Sequence, residues 1–152
     1  MNVIQTRPIL FLDDERLYLE MMTLLLSEHL SCLIAPFTRP ADALAALPRL
    51  DPGIIITDFS MPEMNGIDFL YRVRAIGSTA RAIMITGHQI ELGWQDLSHV
   101  PGLRATLFKP VGWRELAEQI IQHWPDQNPP GLKADPAEAG ADLPPLAGST
   151  AG

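Results

Sequence analysis

The sequence predicts an α/β domain: an open, doubly wound sheet of five parallel strands with helices on both faces. Three observations lead there. Short apolar runs alternate with helical patterns from residue 8 to residue 124. The runs lack the polar alternation of a half-exposed strand, as expected for parallel strands covered on both faces. Four of the five runs end in, or are directly followed by, a polar or charged residue.

The predicted strands are Ile9–Leu12, Cys32–Ala35, Ile54–Thr57, Ala82–Thr86 and Ala105–Phe108. In the segment after the first strand, Leu17, Met21, Leu24 and Leu25 recur at helical spacing and are the expected buried stripe. A second helix opens at Thr38-Arg39-Pro40, with proline near its start, and carries Ala41, Leu44 and Ala45. A third follows Gly66, with Ile67, Leu70 and Val73, and stops near Gly77. A fourth, over Gln89–Val100, is interrupted by Gly93 and closed by Pro101. The last is the most regular: Trp113, Leu116, Ala117, Ile120, Ile121 and Trp124 keep one face apolar for about three turns. Strand–helix repeats of this kind close by right-handed crossovers, and ligands bind beyond the carboxyl ends of the strands.

Composition sets the limits. The 152 residues are 47% hydrophobic and 19% charged, the mix of a globular domain. The formal charge is −7 with no Lys/Arg cluster, which argues against nucleic acid or anionic membrane as a partner and suits a site for divalent cations. The single Cys32 precludes an intramolecular disulfide. No signal-like start and no apolar stretch near the roughly 20 residues of a membrane span is present, so a cytoplasmic location is expected. Residues 1–124 read as the folded domain. Residues 125–152 hold six prolines, four glycines and six alanines, with no aromatic residue, and read as a disordered or loosely attached tail. Within it, Leu143-Pro144-Pro145-Leu146 is a candidate docking motif by composition alone.

The strand ends carry the chemistry. The first run is followed by Asp13-Asp14-Glu15, the third by Asp58, the fourth ends in Thr86 and the fifth is followed by Lys109-Pro110. One aspartate after a strand is explained by helix capping; four polar strand ends converging on one crevice are not. Three carboxylates in such a crevice raise one another's pKa unless a cation neutralises them. An oxygen-only donor set suits Mg²⁺. Carboxylate nucleophile, metal, ammonium and hydroxyl donor together make a phosphoryl-transfer site with Asp58 as acceptor.

Over about residues 7–124 the chain resembles the receiver domains of two-component response regulators. The resemblance rests on Ile9-Leu10-Phe11-Leu12-Asp13-Asp14-Glu15, on Asp58-Phe59-Ser60-Met61-Pro62-Glu63-Met64-Asn65-Gly66, on Ile85-Thr86-Gly87-His88 and on Phe108-Lys109-Pro110. It implies a flavodoxin-like strand order 2-1-3-4-5 and a phosphorylation-controlled switch, with no output domain of its own and no role as an enzyme beyond its own phosphorylation and dephosphorylation. Asp58 would be phosphorylated from the phosphohistidine of a sensor histidine kinase or histidine phosphotransfer protein, and a further protein would read the result. Asp14 would ligate Mg²⁺ directly and Asp13 through water, with Asp58 and the backbone carbonyl of Ser60 completing the set. Lys109 would pair with the phosphoryl group and Thr86 would move toward it. The Lys109–Pro110 bond would be cis, and Gly66 would turn the loop into the third helix.

One position departs from the family pattern. The aromatic residue usual three before the lysine is Thr106 here, and Phe108 has the wrong strand parity to replace it. Two readings stay open, an altered or phosphate-independent readout and a merely tolerant position. Ser60 and His88 stand where the family tunes phosphoryl lifetime, and Trp94 and Trp113 flank the fifth strand. An aspartate-nucleophile phosphatase of the haloacid dehalogenase type is the lesser alternative, because Asp13-Asp14-Glu15-Arg16-Leu17 lacks its second aspartate. A flavodoxin-type electron carrier fails for want of a phosphate loop after the first strand.

Overall fold

A computed structural model describes residues 6–87 and 96–133. Five strands, β1 (Ile9–Leu12), β2 (Ile34–Phe37), β3 (Ile54–Asp58), β4 (Arg81–Thr86) and β5 (Leu103–Phe108), form one parallel sheet in the order β2-β1-β3-β4-β5. Four α-helices are described: α1 (Arg16–His29), α2 (Pro40–Leu50), α3 (Gly66–Ile76) and α4 (Trp113–Gln122).

The central strands bury both faces, and side-chain alternation sorts them into two cores. Ile9, Phe11, Ile54, Ile56, Ile83 and Ile85 meet Leu19, Met22 and Leu26 of α1 and Leu116, Ala117 and Ile120 of α4. Leu10, Leu12, Ile55 and Ala82 meet Ala43 and Leu47 of α2 and Phe69, Leu70 and Val73 of α3. Each fully buried Leu or Ile contributes about 1.5–3 kcal/mol, so β1 and β3 anchor the sheet and hold their C-terminal ends in register. Leu12 pairs with Thr57, and Asp58 with Ile85.

Several sequence expectations need correction. In α1 the buried residues are Leu19, Met22 and Leu26, whereas Leu17, Met21 and Leu24 are 83%, 51% and 60% exposed. A polar stripe runs through Arg16, Glu20, Thr23 and Ser27, but the rest of the helix is largely apolar, so two apolar stripes share the same spacing and periodicity cannot choose between them. In α2 the core side chains are Ala43, Ala46 and Leu47, while Ala41 and Ala45 face out. The second strand begins two residues later than expected and takes in Pro36, an arrangement an edge strand accommodates. The fifth begins two residues earlier, past a register shift at Ala82/Ile83.

Most of the fourth expected helix, with His88 and Trp94, lies outside the described residues. Its last part is a 3₁₀ turn, Leu97–His99, capped by Asp96 accepting from the Ser98 N–H at 3.0 Å.

The chain also stays on the domain past residue 124, where composition placed the start of a tail. Trp124 is buried against Gly53 and donates to Asp126 at 3.1 Å. Leu132 bridges Leu30 in antiparallel sense, with Ser31 N–H donating to Gly131 (2.8 Å) and Lys133 N–H to His29 (2.7 Å). The remainder of that expected tail, residues 134–152 with Leu143–Leu146, lies outside the described residues.

The corrected face of α1 is open to test. Leu26→Ala should cost about 2–4 kcal/mol in urea unfolding, and Leu24→Ala no more than about 0.5 kcal/mol. Equal losses would return Leu24 to the core.

Candidate metal and phosphoryl site

The carboxyl ends of β1, β3, β4 and β5 deliver the site. Asp13 and Asp14 directly follow β1, and the Asp13 N–H donates to Phe37 of the neighbouring edge strand at 3.0 Å. Asp58 is the last residue of β3 and Thr86 the last of β4. Lys109 follows β5, and its N–H donates to the Thr86 carbonyl at 2.8 Å. Asp13 is fully buried, Asp58 is 4% exposed and Thr86 fully buried, whereas Asp14 is exposed.

Carboxylate oxygens of Asp13, Asp14 and Asp58 lie within 4.8 Å of one another. The Lys109 ammonium is 3.3 Å from Asp13, 3.6 Å from Glu15 and 3.7 Å from Asp58. The Asp13 side chain also accepts the Glu15 N–H at 2.8 Å, which fixes the chain as it enters α1.

The titration behaviour follows from this crowding. Burial first, and then the Asp13 charge, push the Asp58 carboxyl up to about 7; Lys109 pulls the other way and Asp14 adds to the rise. Burial also holds Asp13 above the ordinary carboxylate range, against the Glu15 N–H and Lys109. For Lys109 burial alone would lower the pKa, but Asp13, Asp58 and Glu15 outweigh it and hold the ammonium above its usual value. One ammonium against three carboxylates leaves the cluster anionic. Each carboxylate pair at such distances repels by about 3–4 kcal/mol at an effective dielectric near 20. The donor set, hard oxygens at an open crevice edge, fits a divalent cation.

The loop after β3 is built tightly. Phe59 N–H donates to Ile85 at 2.8 Å and Gly66 N–H to Phe59 at 2.7 Å. A Cβ on Gly66 would stand 2.5 Å from the Asp58 carbonyl oxygen and 3.2 Å from Met84 Sδ, so the start of α3 passes where no other side chain fits. Asn65 caps α3 by accepting the Asp68 N–H at 2.8 Å. Ser60 is exposed in this loop, two residues past Asp58. The Lys109–Pro110 peptide bond is cis.

Thr106 is half-buried on β5 opposite Met84, and Phe108, 43% exposed, is the one aromatic residue of that strand. Trp113 stacks on His29 with ring centroids 3.7 Å apart and packs on the first core.

Two contributors were given no role from the sequence, although Glu15 was noted beside the acidic pair. Glu15 pairs with Lys109, and the Tyr18 ring lies under the Lys109 ammonium, 4.8 Å from ring centroid to Nζ. The only available signal was position: both fall in the entry to the helix that follows the acidic pair. The neighbouring Leu17 took the core assignment instead.

Comparison with known proteins agrees with this architecture. The model of the response regulator receiver domain matches residues 9–121, and the chain belongs to that family. An uncharacterized 14.6 kDa protein of Leptolyngbya boryana is 28% identical over 125 residues, covering 81% of this chain and 94% of that one. The protein-glutamate methylesterase/protein-glutamine glutaminase of Enterobacter cloacae is 26% identical over 165 residues; the match takes in 95% of this chain but only 46% of that protein. A response regulator receiver domain from Clostridium thermocellum superposes with a TM-score of 0.67 at 26% identity, over 76% of this chain and 92% of that one. The chain is thus a signalling receiver domain in class, with the flavodoxin-like strand order and an acidic cluster suited to a divalent cation. Among the described residues no helix is long and apolar enough to cross a membrane.

Two measurements probe the site. In metal-free protein the fold holds the Asp58 proton more tightly than the unfolded chain does, so this group's contribution to stability should rise as pH falls from about 7 toward 4 and be lost as pH rises through 7. Asp58→Asn should therefore stabilise the metal-free protein by about 1–3 kcal/mol at pH 7.5 and flatten the slope of Tm against pH; Mg²⁺ should flatten it in the unaltered protein. An Asn variant no more stable than the parent would show that Asp58 is not strained. Separately, Gly66→Ala should cost about 1–3 kcal/mol in urea unfolding, because the Asp58 backbone must yield.

Proposed function

We propose that the protein is a phosphorylation-controlled switch in a two-component phosphorelay, with Asp58 as phosphoacceptor. The observation that carries this reading is the meeting of the nearly buried Asp58 with Asp13, Asp14 and Lys109 at adjoining strand ends. A carboxylate oxygen of Asp58 attacks phosphorus in line; the O–P bond forms as the P–N bond of a partner's phosphohistidine breaks, and the imidazole, protonated on its other ring nitrogen, departs neutral with the P–N electron pair. Asp13, Asp14, Asp58 and the Ser60 backbone carbonyl would hold Mg²⁺, which would supply positive charge against the carboxylates and the phosphoryl oxygens. Lys109 turns its ammonium from Asp58 to a phosphoryl oxygen. Thr86 donates its hydroxyl to another and draws the following loop along.

The phosphodonor fits a histidine kinase or a histidine phosphotransfer protein, and a cytoplasmic setting accords with either. The exposed stripe Leu17, Met21 and Leu24 begins three residues past Asp14, at the mouth of the crevice, and offers the apolar surface on which such a donor can seat. The readout is less conventional. Thr106 has no ring to swing inward, so the signal leaves through Thr86 at the end of β4 rather than through a rotating aromatic on β5; a partner whose binding ignores phosphorylation is the second reading that Thr106 favours.

With Mg²⁺ and a small acyl phosphate, the protein should gain one acid-stable, base-labile phosphoryl group visible by intact mass, and Asp58→Asn should abolish it. Labelling that persists in that variant, or steady turnover of an aryl phosphate, would remove the assignment. In a second assay, Leu17→Ser/Met21→Ser should slow transfer from a phosphohistidine donor at least about tenfold while labelling by acyl phosphate is kept, as loss of a docking contact requires.

A further inference from the structure

We propose that Tyr18 is a positioning residue for Lys109: its ring face carries the ammonium that must move from Asp58 to the incoming phosphoryl group. This role rests on the phosphoacceptor reading above.

The Lys109 ammonium has carboxylates of Asp13, Glu15 and Asp58 at 3.3, 3.6 and 3.7 Å, and the Tyr18 ring at 4.8 Å. A lysine stem is flexible, and carboxylates alone would draw the charge down onto Asp13. A ring face attracts a cation without adding a formal negative charge to a crevice that already holds three carboxylates. Its attraction is also weakly directional, so the ammonium can shift over the ring without leaving it. A further hydrogen-bond acceptor in that place would tether it.

The ring itself is fixed. Tyr18 stands in the first turn of α1, which the Asp13 side chain anchors through the Glu15 N–H at 2.8 Å. Its ring meets Phe11, fully buried on β1, edge-to-face at 6.5 Å and 80°. The hydroxyl is buried and, among the described residues, has no hydrogen-bond partner. A tyrosine held for its hydroxyl would bond through it; here the ring makes the contacts that matter.

The test compares Tyr18→Phe, which keeps the ring face, with Tyr18→Leu and Tyr18→Met, which fill the space without one. Beryllofluoride with Mg²⁺ serves as the phosphoryl mimic, and binding is followed by calorimetry. The Leu and Met variants should bind it about fivefold more weakly, the effect of one partly desolvated cation–π contact, while Mg²⁺ alone binds within about twofold of the parent. The Phe variant should bind beryllofluoride as the parent does. Parent-like beryllofluoride binding by Tyr18→Leu or Tyr18→Met overturns the role, as does a loss in Tyr18→Phe equal to theirs. A parallel fall in Mg²⁺ affinity also overturns it, since that would mark general damage to the site. An unaltered protein that ignores beryllofluoride overturns the phosphoacceptor reading itself, and this role with it.

Discussion

Everything at this site depends on holding three carboxylates together against their own repulsion. Asp13, Asp14 and Asp58 bring their oxygens within 4.8 Å, and repulsion of about 3–4 kcal/mol per pair would part them on a flexible scaffold. The parallel sheet prevents that. β1 and β3 are buried along their whole length and paired from Ile9↔Ile54 to Leu12↔Thr57, so neither strand end can retreat without opening both cores. The electrostatic cost appears instead as the high pKa of Asp58, an unfavourable free energy that a cation can relieve.

Lys109 is the counterweight, and its position is over-determined. Its N–H is tied to the Thr86 carbonyl, its ammonium meets three carboxylates, and the Tyr18 ring lies against it. The hydrogen bond to Thr86 joins the ends of β4 and β5 at the crevice. Thr106, three residues earlier on the same strand, is half-buried beside the fully buried Met84. At this edge β4 and β5 are thus joined by backbone hydrogen bonds and a small side chain.

The α1 side of the domain is loaded unevenly. Its inner face packs on the sheet through Leu19, Met22 and Leu26, and its C-terminal end is closed by the His29–Trp113 stack and by the segment ending at Lys133. Its outer face carries large apolar side chains to solvent. That apolar stripe therefore lies on a helix held at both ends.

The sequence alone determined the fold class, the strand–helix alternation and the identity of the strand-end residues. These follow from local signals: unbroken apolar runs, caps and prolines, and an acidic pair, an aspartate, a threonine and a lysine at strand termini. Only the tertiary structure decided which face of α1 is buried, because its apolar arc is wide enough to hold two stripes of the same spacing and the sheet makes the choice. It likewise decided that residues 125–133 return to the end of α1 through backbone hydrogen bonds, to which composition is blind. The partnership of Tyr18 with Lys109 spans 91 positions and depends on how α1 lies across the sheet. No local pattern encodes such a distance; it exists only once the strands have set where each helix begins.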